Sequence, residues 1–124
     1  MKLPCEIVIW YFLPSIRSAL AKELAKLGLS QKEISERLGL SEAAVSQYMK
    51  GKRGRKIEFN EPTFNELIQK AAEKIASTSS PIDVYRETCK LCLELRKREV
   101  LCNLHRQLDN VPEDCKLCPG IEKT

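Results

Sequence analysis

Residues 30–51 run twice through one pattern: a serine, a short stretch with apolar residues at helical spacing, then a glycine. Ser30 opens the first pass, Glu33 follows three residues on, and Gly39 closes it; Ser41 opens the second and Gly51 closes it. A serine hydroxyl accepts from the free N–H groups of a first helical turn, and a glutamate three residues later bonds back to it. Glycine takes the left-handed backbone that ends a helix. The pattern therefore predicts two short helices joined by a turn of about three residues, which fixes how they cross. Ile34 and Leu38 bury one face of the first helix. Ser35 is small where the second helix passes close, Leu40 plugs the corner, and Val45 with Tyr48 or Met49 anchors the second helix.

The flanks are helical as well. After Pro14, Ile16, Leu20, Leu24 and Leu27 recur at helical spacing with Ala19, Ala21 and Ala25 among them, and Gly28 ends the run. Residues 54–60 read as an irregular link. Thr63 and Glu66 then offer a further capping box, with Phe64, Leu67, Ile68, Ala71 and Ile75 as the apolar stripe of a helix over 62–76. The serine-rich stretch at 77–81 reads as a linker. The expected fold is all-α: a helical bundle over residues 1–76, the linker 77–81, and a cysteine-rich tail over 82–124. The aromatic run around Trp10, Tyr11 and Phe12 is expected to pack as core under the bundle, with a dimer contact as the alternative. Cys5, with no partner nearby in sequence, reads as a small buried hydrophobe.

Composition narrows the function. At 124 residues, with 43% hydrophobic and 31% charged residues, the chain is a small folded protein without room for a separate cofactor domain. The longest apolar run, Ile7–Leu13, is far below the roughly 18 residues a membrane span needs. Glu6 interrupts what would be a signal peptide, so a cytoplasmic location with reduced thiols is expected. No nucleophile–base pair, glycine-rich phosphate loop or carboxylate pair points to an enzyme.

Charge points to nucleic acid instead. Residues 1–60 carry 11 Lys and Arg against 6 Asp and Glu, a net of +5; residues 61–124 carry a net of −1. Lys50, Lys52, Arg53, Arg55 and Lys56 form the densest cationic cluster, directly after the second short helix. Two helices crossed in this way present the start of the second to the major groove of B-form DNA. Its outward residues would be Ser41, Glu42, Ala43, Ser46, Gln47 and Lys50. Gln47 suits an adenine edge, Ala43 a thymine methyl, and Ser46 a base or a phosphate. Lys52, Arg53 and Arg55 follow where the DNA backbone would pass. One such helix reads few base pairs, so a homodimer on a near-palindromic duplex is expected.

The stretch LSQKEISERLGLSEAAVSQYMKGKRG resembles the repressor-like (Cro/XRE-type) helix-turn-helix. The chain as a whole, with LPCEIVIWYFLPSIRSALAKEL at its start and CKLC…LCNLH…CKLC in its tail, is similar to small archaeal transcriptional regulators. The resemblance implies sequence-specific DNA binding and gives residues 42–50 the recognition-helix role. The small position of the first helix is usually alanine and is Ser35 here.

Five of the six cysteines lie in the tail, spaced Cys89-x2-Cys92-x9-Cys102-x2-His105-x9-Cys115-x2-Cys118. Paired C-x2-C turns in a reducing compartment point to a metal centre. In one unbroken helix Cys89 and Cys102 would stand roughly 20 Å apart. Either the helix breaks near Lys97–Glu99, or Cys89, Cys92, Cys115 and Cys118 form the centre and Cys102 stays out. Leu91, Leu95, Leu101, Leu104 and Leu108 would form a small core pinned by the metal. The surplus of thiols and Pro119 after Cys118 favour an iron–sulfur cluster; zinc remains open, and there His105 is a further ligand option. The centre would serve redox sensing or stability alone. The competing function is a protein-interaction adaptor with a structural zinc knuckle.

Overall fold

The computed structural model describes residues 3–51, 62–78, 80–97 and 100–108; helices dominate, and no strand occurs among the described residues. The chain begins with α1 (Pro4–Ile7), continues through five residues of π-helix (Val8–Phe12) and runs on into α2 (Leu13–Lys26). Pro14 accounts for the π turn. It has no N–H to give the Trp10 carbonyl four residues back, and its ring crowds that carbonyl. The helix widens, and the Leu13 N–H donates instead to the Val8 carbonyl, five residues back.

The widened turn decides which aromatic residues enter the core. Ile7, Val8 and Phe12 are buried, whereas Ile9 and Trp10 between them are 59% and 65% exposed. The expectation that the whole aromatic run packs as core is corrected at Trp10, and Tyr11 is half-buried.

The central helix is α2, which packs against α3 (Gln31–Leu38), α4 (Glu42–Met49) and α5 (Pro62–Ser77). Ile16, Leu20 and Leu24 meet Ile34, Val45, Phe64 and Ile75 in one cluster of fully or almost fully buried side chains. Leu38 is only half-buried and lies at the margin of that cluster. Helix α5 already runs at Pro62, so Thr63 stands inside its first turn rather than capping it.

Helix α6 (Pro81–Lys97) and helix α7 (Val100–Leu108) build onto this same core. Val84, Leu91 and Leu95 are buried with the residues of α2 and α5, and Leu104 packs against them. The sequence assigns Leu91, Leu95 and Leu104 to a separate small core in the tail; in the structure they join the common one. Leu101 and Leu108 side chains fall outside the described residues. Buried Glu87 of α6 explains part of the docking. Its carboxylate meets Lys74 of α5 at 3.7 Å and Lys90 at 3.3 Å.

Candidate nucleic-acid interface and thiol pair

The crossing of α3 and α4 is fixed by local chemistry. The Ser30 hydroxyl accepts from the Glu33 N–H at 3.1 Å, and the Ser30 N–H donates to the Glu33 carboxylate at 3.2 Å, closing the capping box. Gly39 follows at φ 66°, and the Leu40 N–H donates to the Ser35 carbonyl at 3.0 Å, which ends α3 and turns the chain. The Ser41 hydroxyl then accepts from the Ala44 N–H at 3.1 Å and starts α4. Ser35 is buried and satisfies its own hydroxyl on the Lys32 carbonyl at 2.7 Å, so a polar residue stands at the helix crossing without an unmet donor.

Helix α4 divides cleanly into two faces. Ala44, Val45 and Tyr48 are buried against α2 and α3, while Ser41, Glu42, Ala43 and Lys50 are exposed and Ser46 and Gln47 half-exposed. At eight residues α4 is about 12 Å long, a match for the width of a B-form major groove. The outward set has a usable chemical range. An amide suits adenine, a methyl suits thymine, and the Glu42 carboxylate suits a cytosine amino group. The Gln47 amide oxygen is sealed from solvent and accepts no hydrogen bond from the described residues. Turning that side chain outward would exchange an unmet acceptor for a met one on a base edge. Lys52, Arg53 and Arg55 lie outside the described residues.

Of the cysteines, Cys89 and Cys92 stand one turn apart on α6, the first exposed and the second half-buried. Burial pushes the Cys92 thiol above its ordinary range, and neighbouring Cys89 adds to this; Arg96 and Arg17 pull the other way. Helix α6 is described to Lys97 and α7 from Val100, and the residues between them, where the spacing allows a break, lie outside the described residues. Cys102 nevertheless points into the core, 7% exposed. Among the described residues no three of His, Cys, Asp or Glu converge as metal ligands, so Cys102 and His105 do not join Cys89 and Cys92 there. Cys115 and Cys118 lie outside the described residues. Two thiols one turn apart fit half of a four-thiolate centre.

A cleft between α3 and the start of α6 brings Glu36 and Arg37 near Thr78 and Tyr85. It joins the two-helix unit to the second half of the chain. No helix among the described residues is long and apolar enough to cross a membrane.

Residues 20–55 match the Helix-turn-helix family of Cro/XRE type, a DNA-binding fold. The match takes in the end of α2, both crossed helices and the basic segment that follows. No curated protein and no solved structure matches the chain.

Proposed function

We propose that this protein is a sequence-specific DNA-binding transcriptional regulator, in which residues 1–76 carry the reading head and residues 82–124 a metal centre. The observation that carries the reading is the face of α4. A helix of major-groove length, crossed by α3, presents Glu42, Ala43 and Lys50 outward with Ser46 and Gln47 half-exposed beside them, and the sequence continues into a cationic cluster. In this arrangement the outward side chains read base edges, while Lys50, Lys52, Arg53 and Arg55 neutralise phosphates and set affinity. Two copies on a near-palindromic site supply the specificity that one short helix lacks. Such a protein works in the cytoplasm, where the thiols stay reduced. An electrophoretic shift of duplex DNA as salt is raised tests the reading. Affinity should fall with a log–log slope of about −3 to −4 for each copy bound, or about −7 for the pair, from four phosphate contacts per copy. A salt-independent shift, or none, would contradict it.

The metal centre rests on the Cys89–Cys92 pair, with Cys115 and Cys118 as the other two ligands. Cys102 is left out of the set because it packs in the core. A zinc ion would clamp the C-terminal segment to α6, whereas an iron–sulfur cluster would add sensitivity to oxidants. In either case the chain's own part is the same: Cys89 and Cys92 give up their protons, and Arg17 and Arg96 beside Cys92 favour its thiolate. The metal content and colour of protein purified without oxygen decide between the two. A colourless protein free of zinc and iron would remove the centre altogether.

A further inference from the structure

Cys92 has cationic neighbours on two helices. Arg96 follows it by four residues on α6 and so shares its face one turn on. Arg17 comes from α2, which packs on α6, and acts on the Cys92 thiol together with Arg96. Both arginines are half-buried, and neither makes an ion pair among the described residues. The Arg96 Nε–H is sealed from solvent and meets no acceptor among them. Two carboxylates of α6 are committed elsewhere: Asp83 binds Arg86 and the Thr78 hydroxyl, and Glu87 binds Lys74 and Lys90. A half-buried guanidinium with an unmet donor is costly to keep, and nearly all such groups in folded proteins have an acceptor. What the two arginines share is the sulfur of Cys92. A thiol accepts weakly, whereas a thiolate carries a full charge and accepts strongly.

We propose that Arg17 and Arg96 are positioning residues of the Cys89–Cys92 metal site, donating N–H groups to the sulfurs once the thiols have become ligands. The proposal rests on the metal reading of that pair. Each ligand thiol gives its proton to water as the metal binds. Four thiolates around one divalent zinc ion leave two negative charges, and two guanidiniums match them. The planar fork of arginine holds its donors in fixed directions, which a lysine ammonium on a flexible stem does not. Groups bonded to the ligands from outside the ligand set orient them, and their loss weakens metal binding by about 10–100-fold. The consequence for the organisation of the chain is specific. Arg17 belongs to the central helix of the bundle, where Ile16 beside it and Leu20 one turn on are fully buried with Ile34 and Val45. The metal site therefore takes one of its parts from residues 1–76, and the tail does not complete it alone.

Cobalt(II) titration of the full, reduced chain, followed by competition with zinc, tests the assignment. Cobalt absorption reports the thiolate ligands, and the competition gives the zinc affinity. The wild-type chain should show thiolate–cobalt absorption. Arg17→Gln and Arg96→Gln should each weaken zinc binding about tenfold with the cobalt spectrum unchanged, because the ligands themselves remain. Arg17→Lys keeps the charge without the fork and should lose about threefold. Arg37→Gln, at a half-buried arginine of α3, should bind zinc like the wild type. Wild-type affinity in both glutamine variants of Arg17 and Arg96 would overturn the proposal and leave the metal reading standing. A cobalt spectrum altered in either would also overturn it, since a ligand would then have been displaced, and so would an equal loss in Arg37→Gln. Where Arg17→Gln loses its helical circular-dichroism spectrum, Arg17→Lys decides, and wild-type affinity there would remove Arg17 from the site. A wild-type chain without thiolate–cobalt absorption would overturn the proposal and the metal reading together.

Discussion

Gly39 is the residue on which the crossing of α3 and α4 depends, and its replacement by alanine has a calculable cost. At φ 66° the backbone is left-handed, a conformation that disfavours an L side chain by about 1–2 kcal/mol. A Cβ placed there meets nothing within 4 Å, so no steric clash adds to that figure. Alanine also stiffens the unfolded chain, which returns about 0.4–1 kcal/mol. The net loss should be about 1 kcal/mol, or about 4 °C in Tm for a domain of this size. Gly39→Asn should cost less, because asparagine tolerates the left-handed region. Urea unfolding followed by circular dichroism measures both. DNA affinity of the alanine variant should be unchanged below its unfolding transition, since the turn is strained rather than rebuilt. A loss above about 3 kcal/mol would mean that Gly39 is held by close packing, and an asparagine as costly as alanine would mean that its backbone is not left-handed.

The core and the thiols give further predictions. Val45 is fully buried, and Val45→Ala should cost about 2–3 kcal/mol by removing two methyl groups from a packed site, read in the same urea titration. Alkylation of the metal-free protein at pH 8 followed by mass spectrometry should modify Cys89 faster than Cys92, and Cys92 faster than Cys102. The raised Cys92 pKa lowers its thiolate fraction at that pH, and burial blocks Cys102. Cys89→Ser should abolish metal binding whereas Cys102→Ser should not, as measured by metal content after dialysis. Chelation should leave α6 helical by hydrogen exchange, because Val84, Leu91 and Leu95 hold it to the common core.

The two-helix unit was legible because its signals are local. Ser30 with Glu33, Ser41, Gly39 and Gly51 act on backbone groups within four residues, and each does in the structure what its residue type demands. Ile34, Val45 and Tyr48 were legible from spacing for the same reason. The aromatic run was not, because periodicity assumes one helical pitch and the π turn before Pro14 changes it within five residues. The spacing puts Leu91 and Leu95 on the correct face of a helix but does not identify their neighbours. Their partners lie across the chain on α2 and α5, and nothing in the spacing of 82–108 marks that docking. Thr63 misled because a capping serine or threonine and one inside the first turn look alike when proline precedes them.

The central claim is that the outward face of α4 reads base sequence. Selection of binding sites from a random duplex pool, carried out in parallel with the wild-type chain and Gln47→Ala, tests it directly. The account predicts that the wild-type chain enriches a near-palindromic motif, and that the variant enriches the same motif with preference lost at one or two base pairs per half-site, a change of about 1–3 kcal/mol there. Recovery of no motif, or of the same motif unchanged at every position by both chains, would contradict it.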